Sequence, residues 1–118
     1  MTKLNVLIAG STGYIGMQLI KILAKHKKVN IKYLCANTST GKKITHFYKD
    51  LKLINIPKII KFKKKLLDDV DVVFTALPNG ESQKISKLLK KKNILIDLSA
   101  DFRLKSSIDF FIIFSIFS

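Results

Sequence analysis

The sequence has one cysteine, one arginine, no tryptophan and only two prolines among its 118 residues. A single cysteine excludes a disulfide scaffold and favours a reducing environment, so we expect a cytoplasmic protein. A membrane helix needs about 20 consecutive apolar residues, and the apolar run that begins at Phe110 is shorter than that. The run from Val6 to Ala9 is likewise too short for a secretory signal. We therefore expect no membrane segment.

Acidic residues are scarce: 8 Asp and Glu stand against 22 Lys and Arg, which gives a net charge of +14. Such a balance is typical of proteins that bind polyanions. However, all but one of the basic residues are lysine and isoleucine is abundant, which is the bias of AT-rich codons. The clusters Lys63 to Lys65 and Lys90 to Lys92 lack the interleaved aromatic residues of a nucleic-acid site. We predict solvated lysine faces and no specific nucleic-acid partner.

Apolar residues make up 47% of the chain, enough to fill one core. Short apolar runs alternate with amphipathic segments, an order that predicts an α/β fold: a single-domain, Rossmann-like, doubly wound parallel sheet. Ligands of such folds bind beyond the carboxyl ends of the strands. The predicted strands are Leu4 to Ala9, Val29 to Ala36, Ile59 to Phe62, Val70 to Leu77 and Asn93 to Leu98, and the predicted helices are Tyr14 to Lys25 and Ser82 to Lys92.

Three glycines follow the first predicted strand at a nucleotide-binding spacing. The segment Gly10-Ser-Thr-Gly13-Tyr-Ile-Gly16 is a G-x-x-G-x-x-G variant of the dinucleotide fingerprint, after a strand and at the start of a helix. Gly10 permits a tight turn, Gly13 lets the backbone approach a pyrophosphate, and Gly16 lets the helix pack close to the sheet. Amides at the helix N-terminus would then face the anion. The simpler alternative is a glycine turn that only connects strand and helix.

The end of the second predicted strand favours NADP over NAD. An NAD site usually has a carboxylate there, bonded to the ribose 2′-hydroxyl, whereas this chain has Cys35-Ala-Asn-Thr-Ser-Thr-Gly-Lys-Lys43. Asn37, Thr38 and Ser39 offer hydrogen bonds to a 2′-phosphate, and Lys42 or Lys43 offers charge. The alternative is an ordinary polar surface loop.

The sequence offers no convincing catalyst. Cys35 is the one thiol, but no base or orienting partner for it can be identified, and a buried structural cysteine at a strand end is the better interpretation. His26 lies among lysines at a helix end and His46 in a segment without clear periodicity, so both are predicted to be surface residues. We assign no catalytic residue and no metal site.

Taken together, three motifs resemble the N-terminal part of N-acetyl-gamma-glutamyl-phosphate reductase. They are the glycine segment, Asp71-Val-Val-Phe-Thr-Ala-Leu-Pro-Asn-Gly80 and, most specifically, Ile96-Asp-Leu-Ser-Ala-Asp-Phe-Arg103. The resemblance covers about residues 4 to 105. The first motif is shared with other dehydrogenases, including aspartate-semialdehyde dehydrogenase, so it is less diagnostic than the third.

The resemblance implies an enzyme of arginine biosynthesis that reduces the acyl phosphate N-acetyl-glutamyl 5-phosphate to its semialdehyde with NADPH. In that family a cysteine thiolate attacks the acyl phosphate, a hydride reduces the thioester, and a histidine handles the proton. The family is also compatible with a homo-oligomer. By match to its pattern, the pyrophosphate residues are Gly10, Ser11, Thr12, Gly13, Tyr14, Ile15 and Gly16, the residues beside the nicotinamide are Leu77, Pro78 and Gly80, and the substrate-side residues are Ser99, Asp101 and Arg103. Arg103 would either contact phosphate or pair with Asp101.

Two departures from the family pattern bear on activity. Asn79 stands where the family commonly has histidine, and the family's nucleophilic cysteine and catalytic histidine lie downstream of the resembling part. We expect residues 1–105 to form an NADP-binding domain and residues 106–118 an atypical hydrophobic tail, with the substrate domain absent through truncation or a frameshift; a terminal strand at the sheet edge is the alternative to such a tail. The isolated chain would then be inactive. The alternative functions are a non-catalytic NADP-binding remnant and the N-terminal domain of another semialdehyde dehydrogenase.

Overall fold

Five parallel strands form one sheet in the computed structural model, which describes residues 3–37, 40–43, 56–78 and 80–98. The strand order is β3-β2-β1-β4-β5, so the chain winds outward in both directions from β1 and the order reverses between β1 and β4. The predicted doubly wound α/β fold is confirmed. The strands are β1 Leu4–Ala9, β2 Val29–Cys35, β3 Ile59–Ile60, β4 Val72–Thr75 and β5 Ile94–Asp97, and the helices are α1 Tyr14–Leu23, a 3₁₀ helix Lys64–Asp69 and α2 Glu81–Ser86.

Both faces of the sheet are apolar because helices cover both, as parallel sheets require. Alternate residues of β4 point to opposite sides: Phe74 joins the core beneath α1, whereas Val73 joins the core beneath α2. Phe74 is 1% exposed and pairs with Ile8 of β1 and Ile96 of β5. The central strands therefore read as continuous apolar runs, and only their ends are available for polar chemistry.

The second predicted helix is shorter than its sequence pattern indicates. It was expected to run to Lys92, but α2 ends at Ser86. The amide nitrogens of Leu88 and Leu89 bond to carbonyls three residues back, which tightens the chain out of the α-helix. Asn93 then holds the following turn, since its side chain accepts from the Lys90 amide and donates to the carbonyls of Leu67 and Val70.

Neighbouring strands are also joined by side chains at their carboxyl ends. The Thr75 hydroxyl, fully buried, donates to Asp97 Oδ1 at 3.0 Å, and the Leu98 amide bonds to the Thr75 carbonyl. None of the helices in the described part of the chain has the length and apolar character of a membrane span.

Candidate functional site

The turn after β1 can be made only with glycine at its first position. Gly10 has a φ of +88°, and a Cβ there would lie 2.3 Å from the Ala76 carbonyl oxygen. The amides of Gly10 and Ser11 both donate to the Cys35 carbonyl, at 2.9 and 3.2 Å. The turn is therefore pressed against the end of β4 on one side and bonded to the end of β2 on the other.

The other two glycines of the fingerprint have different structural roles. A Cβ on Gly16 would lie 2.2 Å from the Gly10 carbonyl oxygen, so Gly16 permits α1 to pack against the turn. A Cβ on Gly13 would meet only that same oxygen, at 3.6 Å, and Gly13 has a φ of −81°, which any residue adopts. Gly13 is exposed. The fold does not require glycine at position 13, and the open space above it is what a ligand would use.

Helix α1 begins directly after Gly13 and has no side-chain cap hydrogen bond. The first turn of an α-helix leaves backbone amides without intrahelical acceptors, and the helix dipole makes that end favourable for an anion. Tyr14, the first helical residue, is 77% exposed. Together with the open face of Gly13, this helix end has the chemistry of a pyrophosphate cradle.

Two side chains of the glycine segment point inward. Ser11 is fully buried, and its hydroxyl donates to the Ile8 carbonyl at 2.8 Å. Ile15 packs against the core beneath α1. Ser11 and Ile15 therefore hold the turn in place through their side chains, and what these positions offer a ligand is their backbone.

A cavity of about 370 Å³ opens beside the turn, at the carboxyl edge of the sheet. Its walls come from the ends of β1 and β2, from the residues after β3 and β4, from one face of α2, and from Leu88 just beyond that helix. This is the crevice at the reversal of strand order where doubly wound folds bind ligands. The lining residues are Ala9, Gly10, Cys35, Ala36, Asn37, Lys61, Phe62, Leu77, Glu81, Lys84, Ile85 and Leu88.

The cavity brings together three residues of the predicted cofactor set: Gly10, Asn37 and Leu77. Pro78 and Gly80 are exposed and lie outside its lining, and Gly80, with a φ of +92°, precedes α2. Thr12 is half-buried in the turn. The predicted residues Thr38, Ser39, Ser99, Asp101 and Arg103 lie outside the described residues.

Nine of the twelve cavity-lining residues were not in the predicted cofactor set. Lys61 and Phe62 follow β3, whose carboxyl end lies at the same edge as the other strand ends. The four lining residues from Glu81 to Leu88 are spaced as one face of a helix, a signal that was present in the sequence. Recognising that face as a cavity wall required knowing that α2 packs beside β1 and β4.

Cys35 lines the cavity but has none of the properties of a nucleophile. It is 1% exposed, and burial raises the pKa of its thiol from about 9 to about 12. A nucleophilic cysteine needs a lowered pKa, because the thiolate is the reactive form. The interpretation of Cys35 as a structural residue agrees with this environment.

We expect the Cys35 thiol to react slowly with iodoacetamide at pH 8 in the folded chain and at an ordinary rate in denaturant. The raised pKa keeps the thiol protonated, and burial blocks access. The pKa of the Cys35 thiol is higher in the folded chain than in the unfolded chain. The contribution of this protonated thiol to the free energy of unfolding is therefore complete below about pH 9 and is lost as pH rises from about 9 to about 12. Mass spectrometry of the alkylated fraction over time measures the rate. Equal rates with and without denaturant would contradict the burial of Cys35.

The sheet order, the glycine turn at the strand reversal and the adjoining cavity define a dinucleotide-binding domain of the Rossmann class. A more specific assignment comes from a family model: "Semialdehyde dehydrogenase, NAD binding domain" matches residues 5–115. The chain belongs to this family, and the expectation of a nicotinamide dinucleotide cofactor is confirmed at that level. In the described part of the chain no group of three or more His, Cys, Asp or Glu side chains is arranged to hold a metal.

Curated relatives agree with the resemblance seen in the motifs. The chain is 42% identical over 105 residues to N-acetyl-gamma-glutamyl-phosphate reductase of Ehrlichia ruminantium (strain Gardel), covering 87% of this chain and 30% of that protein. It is 41% identical over 108 residues to the protein of that name from Brachyspira hyodysenteriae, covering 91% of this chain and 30% of that one. The chain thus spans about a third of the length of these relatives.

Solved structures with the same fold are more distant in sequence. Aspartate semialdehyde dehydrogenase from Candida albicans, solved with NADP, superposes with a TM-score of 0.64 at 22% identity, over 88% of this chain and 32% of that one. The Rex-family repressor RSP superposes with a TM-score of 0.57 at 16% identity, over 98% of this chain and 59% of that one. At these identities the likeness concerns the fold alone.

Proposed function

We propose that this chain provides the NADP-binding part of a cytoplasmic N-acetyl-gamma-glutamyl-phosphate reductase, which reduces N-acetyl-glutamyl 5-phosphate to its semialdehyde in arginine biosynthesis. The observation that carries the proposal is the glycine turn, in which a Cβ at Gly10 or Gly16 would collide with backbone. The named relatives at 41–42% identity support the substrate class. Aspartate-semialdehyde dehydrogenase is disfavoured because the segment Asp97-Leu-Ser-Ala-Asp-Phe-Arg103 resembles the reductase family.

The described residues fit a dinucleotide along the carboxyl edge of the sheet. The pyrophosphate would lie over Gly13 and the first-turn amides of α1, where a Cβ at position 13 would meet only the Gly10 carbonyl oxygen, at 3.6 Å. The adenosine would occupy the part of the cavity between Leu88 and the polar end of β2 at Asn37, which leaves Leu77 for the nicotinamide side as the family pattern implies. When bound, the cofactor supplies the hydride for the reduction.

A non-catalytic dinucleotide-binding chain is the second candidate function, and the state of Cys35 favours it. Cys35 is the one cysteine of the 118 residues, and its thiol is buried with a raised pKa. The thiol also lines the part of the cavity next to β2, the adenosine side of a Rossmann site, and not the nicotinamide side where hydride transfer takes place. The 118 residues therefore offer cofactor binding without a competent nucleophile.

The 118-residue chain is expected to bind NADPH at least about tenfold more tightly than NADH, because a 2′-phosphate adds charge-assisted contacts at an end of β2 that has no carboxylate. Fluorescence titration measures both dissociation constants. NADPH at about 100 times its dissociation constant should stabilise the fold by about 2.7 kcal/mol. Equal affinity for the two dinucleotides would contradict the NADP preference, and no binding of either would contradict the proposed function.

The same chain is expected to show no phosphate-dependent oxidation of N-acetyl-glutamate semialdehyde, the reverse of the family reaction, while it still binds NADPH. The physical reason is the protonated, buried thiol. A Cys35→Ser variant, matched in size, should bind NADPH as the unsubstituted chain does. Activity that this substitution abolishes would show that Cys35 is the nucleophile after all.

A further inference from the structure

The cavity contains charged residues that the glycine and strand-end motifs do not account for. Two lysines, Lys61 and Lys84, and one glutamate, Glu81, lie in its lining. Lys61 comes directly after β3, whereas Glu81 and Lys84 lie on α2. A cavity with an excess of positive charge suits an anionic group, and the position of each lysine decides which part of a ligand it would meet.

The register of β3 carries Lys61 to the end of β2. Ile60 pairs with Cys35, and the Ala36 amide donates to the Ile60 carbonyl at 3.2 Å. Lys61 therefore follows the last paired position of β3 just as Ala36 and Asn37 follow that of β2. In dinucleotide-binding folds the adenosine ribose bonds at the end of the second strand, so Lys61 stands next to the ribose position.

Lys42 and Lys43, the lysines predicted to supply charge, lie on or directly after a backbone segment that is hydrogen-bonded to the start of β3. The Gly41 amide donates to the Ile59 carbonyl at 2.6 Å, and the Ile59 amide donates to the Lys42 carbonyl at 2.8 Å. Neither Lys42 nor Lys43 lines the cavity. Sequence reasoning chose these two because they follow β2 in the chain, but the sheet brings a lysine from the neighbouring strand to the cavity.

Lys84 is a weaker candidate for an anion than Lys61. Glu81 lies three residues before Lys84 on α2, where side chains are neighbours, and both line the cavity. The carboxylate offsets the lysine charge and would repel a phosphate on that wall. On the β2 and β3 wall the lining residues other than Lys61 are uncharged: Cys35, Ala36, Asn37 and Phe62.

We propose that Lys61 is the specificity-determining residue for NADP, its ammonium group pairing with the adenosine 2′-phosphate beside Asn37 at the end of β2. The inference rests on the proposed function and assigns its cofactor preference to one side chain directly after β3. A phosphate monoester carries close to two charges at pH 7, and lysine binds it as a point charge without demanding fork geometry.

The test compares two small probes that differ only in the 2′-phosphate, 2′,5′-ADP and 5′-AMP, together with NADPH and NADH. Lys61→Gln is expected to weaken 2′,5′-ADP and NADPH about five- to tenfold and to leave 5′-AMP and NADH within about twofold. Lys61→Arg should retain the preference. The matched control is Lys63→Gln, which removes the same charge from an exposed lysine two positions on, outside the cavity. Titration calorimetry gives the dissociation constants, and circular dichroism checks that each variant is folded.

The outcomes separate this inference from the proposed function. If NADPH binds with its preference and Lys61→Gln leaves that preference unchanged, the assignment to Lys61 is overturned while the proposed function stands. An equal loss of NADPH affinity for Lys63→Gln would show a general charge effect and would also overturn the assignment. A third variant, Lys84→Gln, would overturn it if this variant lost the NADP preference and Lys61→Gln kept it. If the unsubstituted chain binds no dinucleotide, the proposed function itself fails.

Discussion

Gly10→Ala is expected to lower the free energy of unfolding by about 2 to 5 kcal/mol and to abolish measurable dinucleotide binding. Two costs add: a φ of +88° is strained for alanine by about 1 to 2 kcal/mol, and a Cβ placed 2.3 Å from the Ala76 carbonyl oxygen forces the turn away from β4, at about 1 to 3 kcal/mol. Displacing the turn also breaks its two bonds to the Cys35 carbonyl. Urea unfolding and NADPH titration measure the two effects.

Two other glycines give matched controls for this substitution. Gly41 has a φ of +83° but open space around it, so Gly41→Ala should cost only the strain, about 1 to 2 kcal/mol, and leave binding intact. Gly13→Ala should leave stability within about 0.5 kcal/mol, because its φ and its 3.6 Å contact are ordinary, yet weaken NADPH binding by crowding the pyrophosphate. If Gly10→Ala costs no more than Gly41→Ala, the close contact with Ala76 is wrong.

Phe74→Ala is expected to destabilise the fold by about 3 to 5 kcal/mol, a large part of the 5 to 15 kcal/mol typical of a domain. Phe74 is 1% exposed on the central part of the sheet, between Ile8 and Ile96, and its removal leaves a cavity that rigid strands cannot close. Thermal unfolding and urea unfolding followed by circular dichroism measure the loss. Binding of NADPH should weaken with it, since the following residue, Thr75, fixes the end of β4.

Ile94→Ala is the matched control. It too shortens an apolar side chain in the sheet, on β5 next to β4, but at a residue that is 51% exposed. It should cost less than about 1 kcal/mol. Phe74→Leu should fall between the two. Similar losses of stability for Phe74→Ala and Ile94→Ala would mean that α1 does not cover its face of the sheet.

The main strands were largely readable from the sequence because three of them are apolar runs that stop at Gly10, at Pro78 or after Leu98, whereas the order of the strands in the sheet came only from the structure. The shortest strand was not predicted with its true length: β3 has two residues, Ile59–Ile60, whereas the sequence pattern predicted a strand that continues to Phe62. The end of α2 was misjudged because the residue that holds the next turn, Asn93, acts through side-chain bonds to distant carbonyls.

The candidate site likewise contains residues that could be predicted from the sequence and residues that could not. Gly10 and Gly16 were predictable because glycine is demanded by local geometry, and spacing records that demand. Lys61 was not predictable, because one lysine among 22 basic residues has no distinguishing signal in the sequence. Only the pairing of β3 with β2 places it at the end of β2, which Asn37 follows closely in the chain. The inward bond of the Ser11 hydroxyl to Ile8 was also hidden, because a serine in a glycine-rich turn has the same composition whether it faces a ligand or the core.

The two amide bonds from Gly10 and Ser11 to the Cys35 carbonyl couple the glycine turn to the end of β2, the strand end that we propose meets the ribose. An evolving or redesigned enzyme that altered the backbone after Cys35 to change its cofactor would therefore also disturb the turn. The Lys61 side chain, which directly follows β3, takes no part in these two bonds. A substitution at Lys61 leaves both of these backbone bonds in place. Libraries designed to change the cofactor preference should therefore begin at Lys61.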